Sequence, residues 1–269
     1  MSKGVITAAA ADLWAAHRDR TPISPLTERY SGLDIADAYA VQQVNLRRRL
    51  AAGSRLVGRK IGLTSKPMQS LLGVDEPDFG YVLDDMVIDD MVGTARFCAP
   101  RVEPEVAFLL RSPLRGPGVR VPDVHAATEA VAVALEIVDS RITDWKLTLP
   151  DTVADNASSG AVTLGQWVTH TDDLALARAT ASLRLNGSEI DSGTGDAVMG
   201  DPAAAVAWLA NALGDYDTEL SAGQFIMSGS FTSAAFVHPG DVATAKITGL
   251  GTVSLRFDQT ARGNRTQPR

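Results

Sequence analysis

The stretch Arg101-Val-Glu-Pro-Glu-Val-Ala-Phe-Leu-Leu110 decides how the chain is read. Its second half is an unbroken apolar run of strand type. Side chains alternate along a strand with a period of two, so Glu103 and Glu105 leave the same face. Two carboxylates leading into such a run cannot both stay ionised in a dry interior without a counter-charge. Either water solvates them or they hold a cation.

A second run, Val131-Ala-Val-Ala-Leu-Glu-Ile-Val138, carries one carboxylate, Glu136, on the same face as Ala132, Ala134 and Val138. Small neighbours leave room beside it. Glu103, Glu105 and Glu136 brought together form a hard, all-oxygen site that suits Mg2+ or Mn2+ and suits zinc or copper poorly. The competing reading leaves Glu103 and Glu105 on a solvated strand edge and pairs Glu136 with an arginine such as Arg141. Spacing alone keeps both open.

The whole chain narrows the setting. Its 269 residues are 45% hydrophobic and 21% charged, an ordinary globular composition with ample length for a core. A net charge of −7 and a pI near 5.1 argue against a nucleic-acid partner, which calls for a basic face. The run Arg47-Arg-Arg49 reads as the solvated face of a helix. A lone cysteine, Cys98, rules out an internal disulfide and a multi-thiolate metal site. No run approaches the roughly 20 apolar residues of a membrane span. The N-terminus lacks the pattern of a secretory signal, so the expectation is a cytoplasmic protein.

Outward from the glutamates, the chain divides into an N-terminal helical segment (1–75), a β-rich catalytic domain (76–260) and a flexible tail (261–269). Residues 7–20 form an alanine-rich helix that stops before Pro22, and a second helix runs from Ile35 to about Ala52 behind the N-cap Asp34. A strand over 55–64 is interrupted by Gly58 and Gly62, where a missing side chain lets another group approach. Lys60 lies between them and points either into a pocket or to the surface. Ser65 caps a short helix, 66–72, closed by Gly73. Residues 74–83 read as an acidic turn in which Asp78 shapes the bend.

Farther on, Asp155, Asn156, Ser158 and Ser159 gather without a basic residue. They either bind a ligand's oxygens or close an Asx-type turn. Asn186-Gly187 marks a hairpin, and Asp201-Pro202 opens a helix that runs to Gly214. Strands follow at 224–227, 241–247 and 251–257. The four histidines stand apart with no metal-ligand spacing, and neither a G-x-S-x-G elbow nor a phosphate-binding glycine loop occurs.

Five motifs in order complete the picture: Gly58-Arg-Lys-Ile-Gly-Leu-Thr64, Gly73-Val-Asp-Glu-Pro-Asp-Phe-Gly80, Pro100-Arg-Val-Glu-Pro-Glu105, Ala134-Leu-Glu-Ile-Val-Asp-Ser-Arg141 and Asp151-Thr-Val-Ala-Asp-Asn-Ala-Ser158. Together they closely resemble the 2-keto-4-pentenoate (2-hydroxypentadienoate) hydratase family of the fumarylacetoacetate hydrolase superfamily, from about Leu13 to Phe257. The resemblance implies an α+β fold, a fumarylacetoacetate-hydrolase-like mixed β-roll with an N-terminal helical segment. It also implies Mg2+ or Mn2+ held by Glu103, Glu105 and Glu136, and Lys60 as the active-site lysine with Asp78 bordering the same pocket. Asn156, Ser158 and Ser159 become candidates for positioning substrate or water.

The implied reaction is hydration of 2-hydroxypenta-2,4-dienoate to 4-hydroxy-2-oxopentanoate in aromatic meta-cleavage catabolism. Homo-oligomers built on pentamers or decamers, and association with a neighbouring pathway enzyme, are implied in the same way. A lysine beside a metal and away from water is expected to have its pKa brought down towards the working pH. Two sister activities stay open. Ser112-Pro-Leu-Arg-Gly-Pro-Gly118 and Gly223-Gln-Phe-Ile-Met-Ser-Gly229 look like a 4-oxalocrotonate decarboxylase, whereas Asp144-Trp145 and Asp151-Thr-Val153 look like a hydratase. A hydratase of a heptenedioate is the third, although no extra basic residue in the motifs claims a second carboxylate. A non-catalytic subunit that keeps the fold is the contrasting possibility.

Overall fold

A computed structural model describes residues 1–169 and 174–259. The tail read as flexible, 261–269, lies outside these residues. Helix α1 (Lys3–Asp19) begins four residues before the expected start because the Ser2 side chain accepts from the Val5 N–H, satisfying a donor that would otherwise be free. A short turn, α2 (Leu26–Arg29), leads to α3 (Ile35–Ala51), where Asp34 accepts from the Asp37 N–H at 2.8 Å as an N-cap should.

Strand β1 (Leu56–Gly62) and helix α4 (Lys66–Leu72) fall where the glycines and Ser65 put them. The stretch after them does not: residues 78–83, read as a turn, form a fully buried strand, β2 (Asp78–Leu83). Pairing with β1 along its whole length overrides the weak strand propensity of Asp-Phe-Gly.

Strands β3 (Met91–Gly93), β4 (Arg101–Leu110) and β5 (Thr128–Val138) follow, with α5 (Val121–Ala127) between the last two. Helix α6 (Leu149–Ala154) precedes β6 (Ser159–Leu164), and β7 (Thr180–Leu185) and β8 (Ser188–Thr194) close the Asn186-Gly187 hairpin. Helix α7 (Pro202–Gly214) is capped by Asp201, whose carboxylate accepts from the Ala203 N–H at 2.8 Å. Strands β9 (Phe225–Ser230), β10 (Ala235–Phe236), β11 (Val242–Ile247) and β12 (Gly251–Asp258) complete the chain.

Among the described residues the strands form two sheets, one ordered β2-β1-β9-β4-β5-β6 with β10 beside β4, the other β3-β12-β11-β7-β8. Strand β1 belongs to the first sheet, antiparallel to β2 and parallel to β9. Strands β11 and β12 lie against β4 and β5. Alternation then sorts the residues of this pair. Val102, Val106, Phe108, Val133, Leu135 and Ile137 enter the main core with Ala243, Ala245 and Leu255 of the second sheet. Each large apolar side chain so buried contributes about 1.5–3 kcal/mol. Ala107 and Ala134 turn to the other face, towards Tyr81, Phe225 and Met227. The three glutamates share that second face, as the spacing predicts for Glu103 and Glu105 and as the β4–β5 ladder brings about for Glu136.

Candidate active site

Glu103 and Glu136 stand opposite each other in the β4–β5 ladder, and Glu105 lies opposite Ala134, one step along. One carboxylate oxygen from each of Glu103, Glu105 and Glu136 lies within 4.8 Å of the others. Glu105 and Glu136 are buried and Glu103 is half-buried, so the cluster is not a solvated edge. Nor does Glu136 pair with Arg141: that arginine turns to Asp155, with Nε 2.5 Å from Oδ1, and to Asp139. The cation beside Glu136 is Lys60, whose Nζ lies 3.5 Å from Oε2.

The lysine is buried and donates to the carbonyl of Ala157 at 2.9 Å. Gly62 explains how Asp78 reaches the same spot. A Cβ at Gly62 would collide with Asp78 Oδ1 and would stand 3.3 Å from Lys60 Nζ, so only glycine lets the carboxyl close over the strand. Asp78 Oδ2 accepts from Thr152 Oγ1 at 3.3 Å, while Oδ1 is buried with no hydrogen-bond donor.

Burial sets the electrostatics. It pushes the Glu103 carboxyl up to about 7, helped by Glu136 and opposed by Lys60 and Arg101. Burial raises Glu105 as well, reinforced by Glu136 and Glu103, and raises Glu136 and Asp78 against the pull of Lys60. Burial also disfavours the Lys60 ammonium, but Glu136, Asp78, Glu103 and Glu105 outweigh it and hold the group above its ordinary range. The expected fall in the Lys60 pKa therefore requires these carboxylates to be counter-charged. Four acids facing one ammonium leave an excess of negative charge in a dry site, to be met by protons or by a cation.

The donor set fits a hard divalent ion. Glu105 Oε1 and both oxygens of Glu136 are buried without a hydrogen-bond donor, the condition a metal-ligating oxygen would meet. Glu105 Oε2 is fixed by the Gly229 N–H at 2.8 Å, a backbone contact that orients the carboxylate from outside the cluster.

The segment holding Asn156 and Ser158 has the conformation of a turn. Asn156, Ala157 and Ser158 carry φ of 58°, 51° and 53°, a left-handed run costing roughly 1–2 kcal/mol per residue. Its ties offset that cost. The Asn156 amide accepts from the Tyr81 N–H at 2.8 Å and donates to the Tyr81 carbonyl at 3.0 Å, so both ends are engaged by β2. Gly80 makes room for this, since a Cβ there would stand 2.5 Å from the Asn156 carbonyl. Ser158 Oγ lies 3.2 Å from Thr152 Oγ1, and Ser159 follows at the start of β6. Both serines are buried. A larger cavity, about 1140 Å3, opens beyond the turn and reaches Asn156 and Ser159, but the glutamates, Lys60 and Asp78 are not among its walls.

Two further residues belong here that the sequence reading did not place. Arg141 braces the turn through Asp155, the Asp155 carbonyl and the Ser159 carbonyl. Arg101 stands two positions before Glu103 on the same face, its guanidinium 4.4 Å from the Trp145 ring and 4.1 Å from that of Phe236. A period-two reading of 101, 103 and 105 would have found it.

Three clustered glutamates with a lysine–aspartate pair, on a mixed-sheet α+β fold, mark the class: the chain belongs to the fumarylacetoacetate hydrolase family, and residues 60–258 match the fumarylacetoacetate (FAA) hydrolase C-terminal family. Within that class it is similar to hydratases of dienoic acids. A 2-hydroxyhexa-2,4-dienoate hydratase of Comamonas testosteroni is 45% identical over 92% of this chain and 95% of its own. A 2-keto-4-pentenoate hydratase of Paraburkholderia xenovorans (strain LB400) is 41% identical over 93% and 94%. Among solved structures, 4-oxalocrotonate decarboxylase of Pseudomonas putida G7, complexed with magnesium and adipate, matches with a TM-score of 0.92 at 35% identity over 96% of this chain and 98% of that one. The family and fold expected from the five motifs are those found.

Proposed function

We propose that the protein is a hydro-lyase that adds water to 2-hydroxypenta-2,4-dienoate, giving 4-hydroxy-2-oxopentanoate, with Mg2+ or Mn2+ at Glu103, Glu105 and Glu136. The observation that carries this reading is the convergence of Lys60, with Asp78 beside it, on three clustered glutamates, two of which, Glu105 and Glu136, hold buried oxygens without a donor. When bound, the ion supplies positive charge at the substrate's carboxylate and C2 oxygen. The chain's own residues do the rest.

In the reaction a proton leaves the C2 hydroxyl and one arrives on C5, giving the conjugated 2-oxo-3-enoate. The oxygen of water then bonds to C4 and a proton goes to C3. Lys60 and Asp78 are the groups that hold and move these protons. The ammonium is stabilised by the carboxylates. Once they are counter-charged, burial is what remains, and it favours the neutral amine that accepts a proton. Asp78, its pKa raised by burial, can carry the proton that Lys60 gives up. The Ala157 carbonyl fixes the amine's position, and Ser158 and Ser159 offer hydroxyls to substrate or water. Asn156 holds the turn that presents them.

A second reading is decarboxylation of 4-oxalocrotonate, which leaves the same negative charge at C2. Arg101 favours it, because a guanidinium stacked between two rings beside Glu103, with Nε unbonded, can receive a second carboxylate.

The experiment follows the ultraviolet absorbance of 2-hydroxypenta-2,4-dienoate with Mg2+ or Mn2+, then with a chelator, beside 4-oxalocrotonate. Chelator-sensitive loss with formation of 4-hydroxy-2-oxopentanoate supports the hydratase. CO2 release from 4-oxalocrotonate with the dienoate untouched would make the protein a decarboxylase. A cytoplasmic setting, a pentameric or decameric assembly and contact with a pathway neighbour belong to the same proposal, and sedimentation tests the assembly. No helix among the described residues is long and apolar enough to cross a membrane.

A further inference from the structure

Two arginines, Arg59 and Arg141, are buried to the same degree, each 5% exposed. Arg141 is met by Asp155 and Asp139. Arg59 is met by nothing comparable: among the described residues no carboxylate forms an ion pair with it, and its Nε is buried without a hydrogen-bond partner. Burial pushes its pKa down to about 10 with no acid to restore it. A guanidinium so little exposed and without an acid partner calls for an anion, and its planar fork of donors matches a carboxylate.

Arg59 borders a cavity of about 210 Å3 between α3, β1 and the end of α7. The walls suit the body of an organic acid. Tyr39 stacks on Phe79 at 4.4 Å between ring centres, and Tyr216 stands edge-on to Phe79 at 6.2 Å. Leu213 adds an aliphatic surface, and Gln43 and Thr218 also line the cavity. At the liquid share of about 30 Å3 per water, the space holds roughly seven water-sized groups, the size of a short-chain acid. None of Lys60, Asp78 and the three glutamates lines it.

The geometry points to a second ligand site, in which Arg59 binds the carboxylate of a short-chain organic acid whose apolar body rests against Tyr39, Phe79 and Tyr216. Arg59 precedes Lys60 on β1 and Phe79 follows Asp78 on β2, so strand alternation puts this site on the reverse side of the sheet from the catalytic pair. The acid bound there does not compete with substrate for the glutamates.

Butanoate, which lacks the 2-oxo group, is titrated calorimetrically into the full-length, Mg2+-loaded protein, with 1-butanol as the uncharged control. Saturable binding of butanoate but not of butanol is expected. It weakens by tenfold or more in Arg59→Gln, the loss of a charge-assisted hydrogen bond, and persists in Glu105→Gln. If Arg59→Gln fails to fold, Thr218→Trp, which fills the cavity from its wall, abolishes binding on its own. The proposal is overturned if the wild type takes up no butanoate, if uptake survives both cavity variants, or if it vanishes in Glu105→Gln. A change of sedimenting mass in Arg59→Gln without butanoate binding in the wild type would assign Arg59 to a subunit contact and overturn it equally.

Discussion

Lys60 Nζ donates to the carbonyl of Ala157 at 2.9 Å, joining a central strand to a left-handed turn 97 residues farther along. The bond fixes the amine while leaving it 3.5 Å from Glu136, close enough to feel the acid and free to lose a proton. Lys60→Met keeps the length of the side chain and removes the proposed proton carrier. Turnover of the dienoate is expected to fall by about 10²–10⁴-fold, the usual worth of a positioned acid or base, with Mn2+ binding retained in calorimetry.

Gly62→Ala tests the closeness of the pair from the backbone side. The added methyl meets Asp78 Oδ1 and forces the carboxyl outward. A displacement of about 1 Å at a reacting group can cost on the order of 10²-fold, so kcat drops by that amount while the glutamates, on other strands, keep their affinity for the ion. Single-turnover kinetics separates this from a loss of substrate binding.

The glutamates predict how stability depends on pH. A carboxyl whose folded pKa lies above its unfolded one favours folding while it keeps its proton. For Glu103 that contribution is full below the ordinary value of 4.5 and is lost as pH rises through about 7. Chelated protein should therefore melt at progressively lower temperature across this window. Mg2+ needs the ionised form, so the gain in Tm on adding it should grow as pH rises. A gain that shrinks with pH would exclude the cluster as the metal site.

Arg141→Met leaves Asp155 and Asp139 buried without their cation. Breaking a buried pair by removing one partner costs about 3–5 kcal/mol, which a denaturant titration at pH 7 would show. The Asp155 carboxyl, pushed up to about 6 by burial and held from rising further by Arg141, should climb in the variant. The loss of stability should then be smaller at pH 5, where Asp155 takes up its proton, than at pH 8.

What the chain discloses before folding is set by how local each feature is. Glu103 and Glu105 could be read as a pair because two residues on one strand share a face by geometry alone, and Asp34 and Asp201 because a cap acts within its own first turn; Ser65 stands at the N-cap position of α4 but its side chain makes no capping bond. Strand β2 could not, since its burial comes from β1 and not from its own residues. The same holds for the ties of Arg141 to Asp155 and of Asn156 to Tyr81, which need the turn to have formed first. Arg59 shows the limit from the other side: nothing in Gly58-Arg-Lys60 tells a paired arginine from an unpaired one.

The parallel partnership of β1 and β9, in which Lys60 lies opposite Met227, carries a cost in time. During synthesis at about 5–20 residues per second, the strand bearing Lys60 waits on the order of ten to thirty seconds for the strand that completes its sheet. Until then the edge of β1 that β9 will cover stays open. A chain released before residue 230 would bear nearly every reactive group of the site and still be unable to assemble it.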